Sequence, residues 1–194
     1  MHSPRLIQTG QMPSSQTSRL TSSPILKIAM AVLCTFAQPG HSAVTAVSET
    51  GFVSEHSLTV SVAPLVVYQA LVDHISEWWD SAHTYTGDAR NLSIDAQGCF
   101  CEALPEGGRV EHMRVVYAAP GKLLRLTGGL GPLQALAVSG SMEFVLQADG
   151  AGTIVKYRYI VGGYTPEGLT DWAGPIDAVQ TGQLERLKAY LERG

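Results

Sequence analysis

The stretch IDAVQTGQLERLKAYL, residues 176–191, decides the fold. Ile176, Val179, Gln183, Leu187 and Tyr190 recur on one stripe at helical spacing, and Leu184 and Leu191 widen it. Glu185, Arg186 and Lys188 fall outside it. Pro175 occupies a helix-start position and Asp177 sits in the expected first turn, where the helix dipole favours an acid. A helix with so broad an apolar face has to bury it, and the segments before it read as strands, the only large partner on offer. The expectation is a helix laid over a curved antiparallel sheet, one wall of either a filled core or a ligand cavity. Gly182 in mid-helix is expected to leave room for a close strand or for a ligand.

Working outward, residues 55–62, EHSLTVSV, alternate with Leu58, Val60 and Val62 on one face, the pattern of a half-buried strand. Pro64 then opens a helical pattern in which Val67, Leu71 and Ile75 repeat at fours, joined by Val66 and Ala70, and which runs to Trp78 and Trp79. The polar residues from Asp80 to Asn91 end it. Strands are expected at 92–95, 99–104, 110–118, 122–127, 137–146 and 153–161. Short turn-rich links such as Pro120-Gly121 and Asp149-Gly150-Ala151-Gly152 join them, so consecutive strands should pair antiparallel. Met142, Phe144 and Leu146 share a face, as do Val155, Tyr157, Tyr159 and Val161, which gives the concave side of the sheet an aromatic lining. Gly128 to Leu136, rich in Gly and Leu, reads as a mobile flap or a short turn of helix. The fold class is therefore α+β, a curved antiparallel sheet wrapped around a long C-terminal helix.

This order resembles the SRPBCC superfamily (START-like or Bet v 1-like, the helix-grip fold), in the branch of polyketide cyclases and Hsp90-ATPase-activator homologues. The residues that carry the resemblance are Leu58-Thr59-Val60-Ser61-Val62, Trp78-Trp79-Asp80, Pro120-Gly121-Lys122-Leu123-Leu124, Gly152-Thr153 and the terminal helix, and it extends over Phe52 to Arg193. It implies a cavity between sheet and helix that holds a hydrophobic or amphipathic small molecule. Such motifs are structural, so they speak for fold and not for activity.

The first 46 residues form an extension, and 47–194 a single domain. Residues 1–24 are rich in Ser, Thr, Gln and Pro, carry Arg5 and Arg19, and contain no acid. Lys27 precedes the apolar run Ile28 to Ala37, which Pro39 and Gly40 break. That run is about half the ~20 residues a spanning helix needs, the pattern of a signal peptide with cleavage expected after Ala46. Leu33 before Cys34 does not suit lipidation, so no stable membrane anchor is expected. The protein should be exported, periplasmic or extracellular, and this departs from cytosolic chaperone regulators and speaks against an Hsp90-like partner. Without Arg5, Arg19 and Lys27 the domain keeps ten basic residues against seventeen acidic ones, a formal charge of −7, which disfavours nucleic acid and anionic lipid. Gly121-Lys122 lacks the leading glycine of a phosphate loop, since Val116 stands there, so ATP is not expected. Asn91-Leu92-Ser93 matches a glycosylation acceptor, relevant only in a eukaryotic secretory pathway.

Chemistry-bearing residues converge on one hairpin, with Cys99, Cys101 and Glu102 on one strand and Glu111, His112 and Arg114 on the next. A two-residue turn at Glu106-Gly107 sets Cys101 opposite His112 and Cys99 opposite Arg114. A loop one residue longer sets Glu102 opposite His112 instead. The first is a thiol–imidazole pair and the second a carboxylate–imidazole pair able to move protons. Two thiols and a histidine fall short of a structural zinc set, so no metal or other cofactor is expected. Free, partly buried cysteines are expected, because a Cys99–Cys101 disulfide requires a distorted strand. No nucleophile elbow or triad is present.

The expected ligand-binding residues are Trp79, Tyr85, Glu102, His112, Met142, Phe144, Tyr157, Tyr159 and Trp172, with no catalytic residue assigned. The expected function is binding of a hydrophobic or aromatic small molecule, with Glu102 or His112 orienting a polar group. One alternative is a cyclase- or hydrolase-like enzyme using the same cavity. The other is a protein-interaction domain docking through the Gly128 to Leu136 flap, a reading that requires Leu130, Leu133 and Leu136 to be exposed.

Overall fold

Strand alternation and two apolar helix faces produce a layered α+β domain, seen here in a computed structural model that describes residues 44–193. The elements in chain order are β1 (Val44–Ser48), β2 (Gly51–Val60), α1 (Pro64–Val72), α2 (Ile75–Trp78), β3 (Leu92–Ile94) and β4 (Cys99–Ala103). Then follow β5 (Arg109–Ala119), β6 (Leu123–Thr127), β7 (Ala137–Asp149), β8 (Gly152–Tyr164) and α3 (Thr170–Leu191). The eight strands form one sheet in the order β1-β2-β8-β7-β6-β5-β4-β3, and every neighbouring pair is antiparallel. The sheet is curved and unclosed, and α3 lies over it.

The apolar faces read from the sequence meet in one core. Phe52 and Val60 of β2, Leu124 and Leu126 of β6, Val155 and Val161 of β8, and Leu187 of α3 are all buried in one apolar cluster. Glu185, Arg186 and Lys188 stay exposed on the far side of the helix.

Several elements differ from expectation. β2 begins at Gly51, because β1 supplies it with a partner on one side as β8 does on the other. The longer strand adds Phe52 and Ser54 to the inward face, which His56 shares. The leader lies outside the described residues apart from Val44 to Ala46, which open β1, and the bond after Ala46 falls inside that strand. The helix from Pro64 is two helices that break at Asp73 and His74, and Val66 is 45% exposed instead of joining the apolar face.

The terminal helix begins six residues before Ile176, at Thr170, with a first turn closed by the Trp172 N–H on the Leu169 carbonyl (3.2 Å). Pro175 is thus inside it, and the acid of the first turn is Asp171. Asp177 is buried and accepts from Ser54 Oγ at 2.6 Å, with His56 Nε2 at 3.0 Å. The cluster ties the helix to β2. It is not a catalytic triad, since a triad histidine bridges its two partners through different ring nitrogens, and here His56 Nε2 faces both Asp177 and Ser54 Oγ (3.1 Å). A Cβ built on Gly182 meets nothing within 4 Å, so this glycine makes no room for a close strand, and it is not part of the cavity wall described below.

The segment Gly128 to Leu136 is anchored. Leu130 and Leu133 are buried, Leu136 packs against the core from a partly buried position, and Gly131–Ala135 form a 3-10 turn. Tyr159 fixes the near end, accepting from the Leu130 N–H (3.1 Å) and donating to the Gly128 carbonyl (3.2 Å). Its ring lies over Gly140, where a Cβ would come within 2.5 Å of Cε2. The leucines a docking flap would have offered are in the protein's own core, which removes the ground for the interaction reading.

Candidate functional site

Four segments converge beside the N-terminal half of α3 and enclose a cavity of about 400 Å³. The helix contributes Trp172, Pro175, Ile176, Val179 and Gln180, and the turn after α2 contributes Trp79 and Ala82 to Tyr85. Phe100 of β4 and His112 of β5 form the floor, and Leu130 to Pro132 form the rim. Trp78 is turned away into the core, its Nε1 donating to the Ala70 carbonyl (2.8 Å). That bond fixes the backbone from which Trp79 reaches the cavity. Trp79 in turn meets Phe100 edge-on, with ring centroids 5.3 Å apart.

The polar centre is built by an irregularity. β4 and β5 pair Cys99 with Arg114 and Phe100 with Met113, then shift so that Cys101 faces Glu111 and Glu102 faces Val110. His112 is the extra residue of this β-bulge, a feature that bends a strand and re-aims a side chain. Neither regular register expected from the sequence is therefore realised throughout. The first holds at Cys99, yet the contact formed is that of the second, with His112 Nε2 2.9 Å from Glu102 Oε2.

Beside the bulge, Cys99 and Cys101 form a disulfide with Cα atoms 5.4 Å apart, where sequence reading expected free thiols. The strand supplies the distortion that the bridge demands. With both sulfurs engaged, the cluster they make with Glu111 is not an open metal site.

Glu102 is fully buried and accepts from the N–H of Thr86 (2.7 Å) and of Tyr85 (3.0 Å) as well as from His112. Burial pushes its carboxyl up, but these hydrogen bonds outweigh it and hold the carboxyl below its ordinary range. Burial pushes His112 down, against the opposite pull of Glu102. The result is a neutral imidazole whose Nε2–H donates to a carboxylate, leaving Nδ1 as a lone-pair acceptor. Nδ1 is buried and is the one buried side-chain nitrogen or oxygen among the described residues without a hydrogen-bond partner. Tyr85 stacks on the imidazole with centroids 5.8 Å apart, and Phe100 flanks it at 5.0 Å.

Of the nine residues expected to bind ligand, Trp79, Tyr85, His112 and Trp172 stand in the cavity wall, and Glu102 stands behind His112. The other four do not reach the cavity. Met142, Phe144, Tyr157 and Tyr159 are buried in the core, because both phenols find protein partners. Tyr157 donates to Gln180 Oε1 (2.8 Å), and Tyr159 bonds the rim. Burial raises the Tyr157 phenol well above its ordinary range and the Tyr159 phenol to about 12, so both stay protonated donors. The wall residues missed from sequence are chiefly Phe100, Leu130 and Gln180. Gln180 carried a signal, a polar residue four positions after Ile176 on the buried stripe; Phe100 and Leu130 look like any core residue.

Fold and site together define a helix-grip domain with an aromatic-walled cavity lined by His112, which Glu102 backs from behind. No protein-family model matches the sequence, and no curated protein matches it. Solved structures do. The Mll3558 protein from Rhizobium loti is similar at a TM-score of 0.55 and 19% identity over 73% of this chain and 97% of its own. Aha1 from Colwellia psychrerythraea, solved as a dimer, is similar at a TM-score of 0.51 and 20% identity over 72% of this chain and 96% of its own. DynU16, from the dynemicin biosynthetic locus, matches at a TM-score of 0.51 and 14% identity over 73% of this chain and 48% of its own. At these identities the likeness is one of fold.

Proposed function

We propose that the protein is an exported binding domain for a hydrophobic or amphipathic small molecule, held between the sheet and the N-terminal half of α3. The observation that carries this reading is the cavity of about 400 Å³ whose wall is mainly aromatic and aliphatic and includes the buried His112. Pockets of this size, mostly apolar with a few placed polar groups, are the usual form of small-molecule sites. Trp79, Tyr85, Phe100 and Trp172 would pack on the ligand and His112 would orient it, with Glu102 fixing the imidazole. Export is supported by the leader pattern and by the Cys99–Cys101 bridge, since disulfides persist in oxidising compartments. Among the described residues no helix is long and apolar enough to cross a membrane.

The test is direct. The purified protein, analysed by native mass spectrometry and then denatured and extracted, should release a small molecule. It should also enhance the fluorescence of the neutral probe N-phenyl-1-naphthylamine, and Ile176→Trp, which fills the cavity, should abolish the enhancement. A protein that carries nothing and leaves the probe unchanged would refute the reading.

A second reading is favoured by the imidazole itself. A neutral histidine with a carboxylate on one nitrogen and a free lone pair on the other has the form of a general base. In a cyclase- or hydrolase-like enzyme, His112 would accept a substrate proton once the side chains around it move to admit the substrate, while Glu102 stabilises the imidazolium. Conversion of the recovered molecule by the wild type, and its loss in His112→Gln, would favour the enzyme; unchanged ligand in both would favour the binding domain.

A further inference from the structure

Gln180 is a cavity-wall residue whose polar end the protein leaves half used. It lies on the buried side of α3 and borders the cavity beside Ile176 and Val179. Its Oε1 accepts from the Tyr157 hydroxyl at 2.8 Å, and that bond fixes the direction of the amide. Tyr157 is buried, and its hydroxyl has no other hydrogen-bond partner among the described residues. With the amide reversed, the phenolic O–H would be a buried donor without an acceptor, a cost that the observed orientation avoids. Nε2 is thereby turned away from Tyr157. It has no acceptor among the described residues, yet the one buried side-chain atom without a partner is His112 Nδ1. Nε2 therefore keeps accessible surface, and the cavity is the open space that Gln180 borders.

Trp172, two turns earlier on α3, repeats the pattern. It is half-buried in the same wall, and its indole N–H has no partner among the described residues. The side chains that α3 contributes to the wall thus hold two unmet donors and no unmet acceptor. Charge narrows the match. The wall contains no lysine or arginine, and the exposed His83 belongs to the turn after α2 and not to the helix. Two buried carboxylates stand behind the wall, Glu102 at 2.9 Å from His112 Nε2 and Asp177 three residues before Gln180. An anionic acceptor would meet their charge without a cation to offset it, and an ammonium, which can only donate, would leave Nε2 unmet. A carbonyl oxygen satisfies the amide without bringing a charge, and flat rings suit Trp79, Phe100 and Trp172.

We propose, resting on the reading of this cavity as a ligand site, that its ligand is an uncharged ring compound with a carbonyl oxygen that accepts a hydrogen bond from Gln180 Nε2. Gln180 is then the residue that determines specificity. A site built to hydrogen-bond a ligand group rejects an analogue that lacks it far more strongly than an apolar pocket rejects a missing methylene.

Four probes with one ring system test this by calorimetric titration at pH 8, where an ordinary histidine is uncharged: 2-acetylnaphthalene, 2-isopropenylnaphthalene, 2-naphthoate and 2-(aminomethyl)naphthalene. The first two differ only in a C=O against a C=CH2 group. The ketone should bind at least about tenfold more tightly than the alkene, and more tightly than the anion and the ammonium. Gln180→Leu alone would strand the Tyr157 hydroxyl, so the variant is Tyr157→Phe/Gln180→Leu, which removes both partners of the core bond. In it the ketone and the alkene should bind alike. A second readout uses the wild type: the infrared stretch of the ¹³C-labelled ketone carbonyl should fall below its position in hexane on binding. Equal binding of ketone and alkene, a carbonyl stretch no lower than in hexane, a ketone preference that survives in the double variant, or tightest binding of the anion or the ammonium would overturn the inference while leaving the cavity a ligand site. Binding of none of the four would overturn both.

Discussion

His112 Nε2 lies 2.9 Å from Glu102 Oε2 although the two residues are not opposed on the ladder, since Glu102 pairs with Val110 and His112 is the residue the pairing skips. The bulge lets His112 and Met113, neighbours in sequence, both be buried. A regular strand would have turned one of them to solvent. The site therefore depends on a single extra residue in β5.

Glu102 collects three donors, from Tyr85, Thr86 and His112. Glu102→Ala should cost about 1–3 kcal/mol or more, the range for a buried donor left without its acceptor, because all three donors lose theirs. Glu102→Gln keeps one carbonyl oxygen and should cost less. Urea denaturation of the two variants measures the difference, and a loss below about 1 kcal/mol in the alanine variant would contradict the assignment of three donors.

Acid should weaken the fold in two stages. The His112 pKa is lowered from its ordinary 6.5 by burial, so below that value the unfolded chain binds a proton that the native state resists, and stability falls as the pH drops towards the lowered native value. Glu102 is also lowered, from 4.5, because its hydrogen bonds together outweigh burial, and it adds a second loss below that value. Denaturation midpoints measured from pH 7.5 downwards should decline through both windows, and His112→Gln should lack the first decline. A midpoint that rises on acidification from 7.5 to 5.5 would contradict a neutral buried imidazole.

Gly182 sits in the interior of α3 with nothing near the position of a Cβ. Gly182→Ala should therefore stabilise the protein by up to about 1 kcal/mol through helix propensity alone, with probe binding unchanged. Thermal melting and titration with N-phenyl-1-naphthylamine check the two halves of this statement.

The Cys99–Cys101 bridge holds Cα atoms 5.4 Å apart, where two residues of extended strand span roughly 6.6 Å. Phe100, between the two cysteines, is part of the cavity floor. The double variant Cys99→Ser/Cys101→Ser should let β4 straighten and should weaken probe binding severalfold with little loss of secondary structure. Circular dichroism together with fluorescence titration tests this, and unchanged binding would show that the floor does not depend on the bridge.

The fold was legible because it rests on periodicity. The faces of β7 and β8 and the stripe from Ile176 to Leu191 follow from spacing, and the structure buries those residues except Val179 and Tyr190, which are half-buried. The start of α3 was not, since Pro175 looks like a first-turn proline by local chemistry, while the Leu169 N–H bonds the Glu49 carbonyl (3.0 Å) and the helix begins just after it. The site was half legible. Aromatic and titratable residues near the hairpin pointed to Trp79, Tyr85, Glu102 and His112, but spacing cannot register a bulge, and the geometry of His112 depends on one. Nor does a strand pattern tell a phenol facing a cavity from one whose hydroxyl ends on Gln180, as that of Tyr157 does.

The two tyrosines at the rim hold it with unequal strength. Tyr159 reaches Leu130 and Gly128 from within the core, so moving that end of the segment means disturbing the sheet. Tyr85, 56% exposed, reaches Gly131 by one solvent-facing bond of 3.2 Å. Traffic into and out of the cavity should then pass on the Tyr85 side. Tyr85→Phe, which removes that single latch, should speed association and dissociation of the probe together in stopped-flow measurements and leave its equilibrium affinity nearly unchanged.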